Sequence, residues 1–138
     1  MSLWIYQAQF GIILIEIKIK DVKLMHEIGV VRAMLHTVDE YCEQNNVDEV
    51  GEIVIDIGEL SLVIPKYVEE IYPVVIKDTK YENTKLIINE IPGLAECDEC
   101  DEIFNVIENK GYCPKCGSFD KQVLSGDKFL IREIHVKE

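Results

Sequence analysis

The sequence predicts an α+β fold, with two helices packed on a small mixed β-sheet and a zinc-ribbon-like domain inserted before the last strand. Apolar residues recur at helical spacing in residues 28–46 and 65–76. Strand-like patterns occupy residues 52–60, 85–91 and 128–137. Two Cys-x-x-Cys pairs stand between the last two of these strands, so the chain leaves the main sheet for a metal-binding module and then returns.

The first predicted helix covers residues 28–46 and has one apolar face. Arg32, His36 and Glu40 fall on the opposite face, and Asn45-Asn46 favours the end of the helix. Cys42 belongs to the apolar face, which predicts a buried, unreactive thiol. The apolar face consists of Ile28, Val31, Met34, Leu35, Val38, Tyr41 and Cys42.

The second predicted helix begins at Pro65, where a missing backbone N–H would be unpaired in any case. Pro73 lies inside its apolar pattern and removes the backbone bond to the Glu69 carbonyl. We therefore predict that this helix kinks or ends early. Its apolar face consists of Val68, Ile71, Tyr72, Val75 and Ile76.

Successive side chains of a strand point to opposite sides, so the sequence predicts which residues share each face of a strand. In the last strand, Leu130, Ile134 and Val136 are predicted on one face, with Glu133 and His135 on the other. In the strand over 52–60, the two faces consist of Ile53, Ile55 and Ile57, and of Glu52, Val54 and Asp56.

The composition is that of a folded chain, with 48% hydrophobic and 29% charged residues. The formal net charge of −12, from 26 acidic and 14 basic side chains, argues against a nucleic-acid partner and suits cation handling or a basic partner. No stretch predicts a signal peptide or a membrane span, so no membrane partner is expected. Paired cysteines without a signal predict a reducing, cytoplasmic setting.

Residues 1–24 differ from the rest and have two alternative interpretations. Ile13, Ile15 and Ile17 alternate with other residues in a strand-like pattern, which favours an extra strand. Met25 is a natural start, which favours a leader that the native protein lacks. The predicted domains are therefore residues 1–24, a domain of residues 25–93 plus 125–138, and a zinc-binding domain of residues 94–124.

The two cysteine pairs predict one structural Zn²⁺ site. Cys97 and Cys100 are separated from Cys113 and Cys116 by the twelve residues 101–112. Two Cys-x-x-Cys turns complete a tetrahedral shell of four sulfurs with no open position, so the site folds the module and performs no hydrolysis. Iron in an electron-transfer module is the alternative metal for four thiolates. Gly111 and Gly117 permit the tight turns that such a site requires.

The three histidines differ in their setting. His36 and His135 are predicted as solvated surface residues. His26 lies between Met25 and Glu27, directly before a helix. With Met25 as the first residue, its α-amine, the following amide nitrogens and the His26 imidazole can bind one divalent ion in a tetragonal arrangement that suits Ni²⁺ or Cu²⁺. Glu27 supplies either an oxygen ligand or a carboxylate that orients the imidazole.

Met25-His26-Glu27 ahead of a helix, together with the cysteine pairs, resembles the HypA/HybF family of hydrogenase nickel-incorporation proteins. The resemblance covers residues 25–138 and includes the segments 57–61 and 131–136. It implies a nickel domain of two helices on a small sheet, with a zinc domain inserted before the last strand. It also implies nickel at His26, with Met25 and Glu27 contributing, and zinc on the four cysteines.

The same resemblance implies a function and partners. Family members pass Ni²⁺ to the immature large subunit of [NiFe] hydrogenase and work with the nickel-handling GTPase HypB. Some members also serve urease. A second copy of the chain, forming a homodimer, is a further candidate partner. One departure is that Met25 is internal here, so its nitrogen is a peptide amide. The alternative function is a non-enzymatic zinc-ribbon interaction module without nickel. No phosphate-binding glycine loop or Cys-His dyad predicts an enzyme.

Overall fold

The computed structural model describes residues 3–9, 12–18 and 27–137, and only the backbone in the first two of these ranges. The described elements follow one another along the chain as β1 (Leu3–Gln9), β2 (Ile12–Lys18), α1 (Glu27–Gln44), β3 (Val50–Gly58), α2 (Pro65–Ile76), β4 (Lys85–Ile91), β5 (Leu94–Cys97), β6 (Ile103–Asn105), β7 (Lys121–Val123) and β8 (Phe129–Val136).

Helix α1 packs the predicted apolar face from Val31 to Cys42 into the main core, whereas Ile28, also predicted on that face, is 39% exposed. Met34 and Val38 are fully buried, and Cys42 is 2% exposed, which confirms the buried thiol. The helix ends where the two asparagines stand. Asn45 donates from its side chain to the Tyr41 carbonyl at 2.9 Å, and Asn46 adopts a left-handed conformation that ends the helix.

Helix α2 continues past Pro73 to Ile76, so of the two predicted outcomes the early end is wrong, and the kink stays a prediction. The proline removes one backbone bond, but side chains on either side of it anchor the helix. Tyr72 is buried and donates a hydrogen bond to the Thr84 carbonyl at 2.8 Å, and Ile76 is buried in the same core. Tertiary contacts thus hold the last turn of α2 in spite of the missing bond.

The main sheet has the strand order β1-β2-β8-β3-β4. Strands β3 and β4 are parallel because α2 connects them, whereas β3 with β8, β8 with β2, and β2 with β1 are antiparallel. Ile53, Ile55 and Ile57 face the helices and are at most 1% exposed. The mixed sheet with two helices on it confirms the predicted fold class.

Strand β8 does not keep the strict alternation that we predicted. Its register with β3 shifts between Val54 and Ile55, opposite Arg132, so Arg132 interrupts the pairing. On either side of this irregularity Ile131 and Ile134 both reach the core at 0% exposure. Leu130 therefore lies opposite Asp56, away from the face of Ile134 and Val136, and the prediction that these three share a face is wrong.

The backbone of residues 3–9 and 12–18 contributes two strands where the sequence pattern predicts one. Strand β2 pairs with the edge of β8 that β3 does not occupy, and β1 then pairs with β2. Whether residues 1–24 are native or a leader stays a prediction. Residues 19–26, including Met25 and His26, lie outside the described residues. Within the described part of the chain no helix is long and apolar enough to cross a bilayer.

The cysteine segment forms a second sheet of three strands in the order β6-β5-β7, inserted between β4 and β8. Strand β5 pairs with β6 and with β7, both antiparallel. The insertion point agrees with the predicted layout, although β7 had no clear sequence signal. The exact domain limits of 94 and 124 remain a prediction.

Candidate metal centre

Two turns of the inserted module carry the four paired cysteines. In the first turn the Asp101 N–H donates to the Cys97 carbonyl at 3.0 Å. In the second, the Gly117 N–H donates to the Cys113 carbonyl at 2.9 Å. Asp101 and Gly117 both have positive φ, 63° and 77°, so each turn ends in a left-handed residue. Glycine signals this conformation in the second turn, but Asp101 gives no such signal in the first.

The four sulfurs converge on one point. The Sγ atoms of Cys97 and Cys116 lie 3.5 Å apart, as do those of Cys100 and Cys113, and all four fall within 4.8 Å of one another. A tetrahedral Zn²⁺ with Zn–S bonds of about 2.3 Å requires sulfurs about 3.8 Å apart. The donor set and its spacing therefore fit a closed four-sulfur site, in which a divalent ion would be held without an open position.

Backbone amides prepare the site for thiolates. The Glu99 N–H points to the Cys97 sulfur and the Lys115 N–H to the Cys113 sulfur, both at 3.4 Å. Burial raises the pKa of the Cys113 thiol, but the amides of Cys116 and Lys115 and the thiols of Cys100 and Cys116 outweigh it and bring the pKa to about 7. In the absence of an ion the neighbouring thiols instead help to raise the pKa values of Cys100 and Cys116, because the four sulfurs cannot all be charged so close together. N–H donors aimed at sulfur favour the charged form, which is the form that ligates a metal.

The module has little apolar core of its own. Its buried cluster consists of Ala95 and Phe104 beside Cys97 and Cys113, with Val106 packed against it. Several large side chains stay exposed, including Ile103 and Phe119 at 57% and 58%. A core this small leaves the metal site as the main source of folding free energy for the module.

The nickel ligands that the resemblance implies are only partly within the described residues. Met25 and His26 lie outside them, so their assignment remains a prediction. Glu27 is the first residue of α1 and is partly exposed, with the Met25-His26 dipeptide directly before it in sequence.

The other two histidines sit beside carboxylates. His36 pairs with Glu40 one helical turn away, with Nε2 and Oε1 at 3.0 Å, and its side chain is 73% exposed as expected. His135 is more enclosed, at 30% exposure, and lies between Glu52 and Glu133. The cross-strand position of Glu52 gave no local sequence signal, so this cluster was not predicted.

Comparison with known proteins identifies the family. A family model described as hydrogenase/urease nickel incorporation, metallochaperone, HypA matches residues 25–136. The chain belongs to the HypA family. The hydrogenase maturation factor HypA of Actinobacillus succinogenes is 34% identical over 113 residues, which cover 82% of this chain and 100% of that protein. That of a Nostoc strain is 35% identical over 114 residues, covering 83% and 97%.

Solved HypA structures share the fold. A solution structure of the Ni metallochaperone HypA from Helicobacter pylori matches with a TM-score of 0.57 at 22% identity, covering 83% of this chain and 100% of that one. Another solution structure of a HypA protein gives 0.58 at 21% identity. The HypA family consists of metallochaperones rather than enzymes. Residues 1–24 lie outside the family match.

In this HypA chain the carboxylate of Glu59 connects the main sheet to the cysteine module. Glu59, directly after β3, accepts hydrogen bonds at Oε1 from the Gly93 N–H at 2.8 Å and from Asn105 Nδ2 at 2.9 Å. The Gly93 amide, and then Asn105, lower the pKa of Glu59. Because the charged form is favoured in the fold, this contribution is complete above the ordinary glutamate pKa and is lost as pH falls through the lowered value.

We expect Glu59→Ala to loosen the cysteine module without unfolding it, because both donors lose their shared acceptor while the metal site is untouched. Residual dipolar couplings should give one alignment tensor for residues 27–93 and 94–124 in the parent protein and two different tensors in the variant. Glu69→Ala, on the exposed side of α2, is the control. A single shared tensor in the Glu59 variant would show that the backbone contacts alone fix the orientation.

Proposed function

We propose that this HypA-family chain is a nickel metallochaperone that binds Ni²⁺ through Met25, His26 and Glu27 and delivers it during [NiFe] hydrogenase maturation. The observation that carries the proposal is that the family match begins at Met25 and runs through the cysteine module to residue 136. It thus includes both the Met-His-Glu segment and the four converging sulfurs in one family described by nickel incorporation.

The two metal sites would have different functions. Four thiolates enclose an ion completely, so the Zn²⁺ that we assign to Cys97, Cys100, Cys113 and Cys116 is structural and stays bound. The cargo Ni²⁺ would bind nitrogen donors at the start of α1, a tetragonal set that a partner can dismantle one ligand at a time. Delivery requires this second kind of site, because a transported ion must also leave.

The family description supports partners in hydrogenase or urease maturation, and the individual partners proposed here rest on the family resemblance. The acceptor would be the [NiFe] hydrogenase large subunit, the urease system is a further acceptor to test, and the GTPase HypB would work alongside the chaperone. The net charge of −12 favours a docking surface rich in lysine and arginine. A second copy of the chain is tested with the same preparations by measuring mass in solution.

Calorimetric titration of Ni²⁺ into two zinc-loaded forms, one beginning at Met1 and one at Met25, tests the proposal. We expect one tight nickel ion for the form beginning at Met25, because its α-amine is then a free ligand. We expect weaker binding for the form beginning at Met1, in which that nitrogen is a peptide amide.

His26→Ala in the Met25 form should abolish the tight nickel event and leave the zinc content unchanged. His36→Ala is the matched control, since it removes an exposed imidazole from helix α1. Absence of tight nickel binding in both parent forms would favour a zinc-ribbon interaction module instead. Equal release of nickel and zinc to a chelator would contradict the division between cargo and structural metal.

A further inference from the structure

The sheet face opposite the helices carries a histidine enclosed by two carboxylates. Glu133 and His135 are two residues apart on β8 and share this face, while Glu52 lies directly across on β3. His135 Nε2 is 2.7 Å from Glu133 Oε2, and His135 Nδ1 is 3.2 Å from Glu52 Oε2. Each of the three side chains is 30% exposed. The cluster is therefore partly buried yet open to ions from solvent.

We propose that this cluster is a second binding site for a divalent first-row transition-metal ion, formed by His135 Nε2 and Glu133, with Glu52 orienting the imidazole. Neighbouring ligand atoms in an octahedral or tetragonal shell lie about 2.9 Å apart when metal–ligand bonds are about 2.1 Å. The separation of 2.7 Å between Nε2 and Oε2 needs only a small adjustment to receive an ion.

Glu52 supplies a carboxylate beside the ring nitrogen that does not bind the ion, which surface histidines usually lack. The ion replaces the proton that His135 Nε2 and Glu133 Oε2 share at 2.7 Å, and this proton is released to solvent. The imidazole then keeps its other proton on Nδ1, toward Glu52, and the lone pair of Nε2 binds the ion. A carboxylate on the far nitrogen of a ligating histidine fixes its tautomer and increases its basicity. All three residues stand on paired strands, which hold them in position before an ion arrives.

The charge balance and donor types define the class of ion. Two carboxylates beside a neutral imidazole carry a charge of −2, which a divalent cation neutralises. An imidazole nitrogen with a carboxylate oxygen suits Ni²⁺, Zn²⁺, Co²⁺ or Cu²⁺ better than Mg²⁺ or Ca²⁺. Because the described residues supply two direct ligands, water or a partner completes the shell, and we expect weaker binding than at the proposed cargo site.

His36 with Glu40 provides a matched comparison within the chain. It has the same pairing of Nε2 with a carboxylate, at 3.0 Å, but it sits on a helix and its imidazole is 73% exposed. The ion pair that the structure gives His36 involves one carboxylate, whereas His135 has two. If binding depends on the enclosed geometry, the ion should therefore bind at His135 and not at His36, whereas nonspecific attraction would place it equally at both.

The test is a titration of NiCl₂ into ¹⁵N-labelled, zinc-loaded protein carrying His26→Ala, followed by ¹H–¹⁵N spectra. Paramagnetic Ni²⁺ should broaden the amides of residues 51–53 and 133–136 in a saturable way. Diamagnetic Zn²⁺ should reverse the broadening, and Mg²⁺ should not. Because the readout is assigned by residue, it is interpretable whether or not the proposed site at Met25-His26 exists.

Substitutions then separate the roles. His135→Gln and Glu133→Gln should each remove the broadening, Glu52→Gln should weaken the apparent affinity about 10- to 100-fold, and His36→Gln should change nothing. The same spectra report whether each variant is folded. The proposal is overturned if broadening persists in folded His135→Gln, if it centres equally on His36, or if Mg²⁺ reverses it. The cluster would then be only an ion-pair network.

Discussion

Cys97→Ser should unfold the cysteine module and leave the helices and the main sheet folded. Cys97 ends strand β5, is fully buried, and is one of the four sulfurs that meet within 4.8 Å. A hydroxyl is a poor substitute for a thiolate ligand, and the module's own core contains little beyond Ala95 and Phe104. In ¹H–¹⁵N spectra, amides of residues 94–124 should collapse to unstructured positions, while those of α1 and β3 stay dispersed.

Cys42→Ala is the matched control, because it removes a buried thiol that lies outside the site. Burial raises the pKa of Cys42, so its thiol stays protonated and packs as an apolar group in the helical core. This variant should keep one zinc ion per chain and a folded module. A strong chelator should reproduce the effect of Cys97→Ser in the parent protein. Dispersed amides for 94–124 after both treatments would show that the module folds without metal.

The helices and the position of the inserted module could be predicted because their signals are local. The spacing of Met34, Val38 and Cys42 defines one face of α1 whatever the rest of the chain does. Pro73 led to the wrong prediction of an early helix end because the contacts that decide the outcome are not local. Its cost is local, but the contacts that outweigh it, such as Tyr72 with Thr84, are made across the fold.

The four cysteines could be assigned to one site because Cys-x-x-Cys spacing fixes the direction of both sulfurs within a single turn. The groups that surround the site could not be predicted from local spacing. Glu59 meets Asn105 across 46 positions of sequence, and its exposed carboxylate looks like any other in an acidic chain. The nickel residues Met25 and His26 rest on motif and family alone.

The outer face of the main sheet shows why long-range polar contacts escape prediction. Asp56 is 5% exposed, an unusual burial for a carboxylate, and alternation alone placed it on a polar face. Arg132 Nε donates to Asp56 Oδ2 at 2.8 Å and Asn89 Nδ2 to Oδ1 at 3.2 Å. These partners come from β8 and β4, on the two sides of β3, so the burial of Asp56 follows from sheet order.

Gly58→Ala should lower the free energy of unfolding by about 3 kcal/mol or more. A Cβ at Gly58 would lie 2.1 Å from the Gly126 carbonyl oxygen and 2.3 Å from its carbon, which are backbone atoms that cannot rotate away. Gly126 in turn has φ +81° and approaches Pro92 and Gly93 too closely for a side chain. The end of β3 and the two segments that connect the main sheet to the cysteine module thus meet at this junction without side chains between them.

Two hydrogen bonds depend on that close approach, so Gly58→Ala should weaken both of them at once and lower the free energy of unfolding further. The Gly58 N–H donates to the Lys128 carbonyl at 2.9 Å, and the Leu60 N–H donates to the Gly126 carbonyl at 2.7 Å. Gly51→Ala, in the same strand, is the control: its Cβ would meet the His135 carbonyl oxygen at an ordinary 3.5 Å. Urea unfolding should show Gly51→Ala unchanged or stabilised by about 0.5 kcal/mol. Equal midpoints for both alanine variants would mean that β3 shifts to admit the methyl group, so the junction would not be rigid.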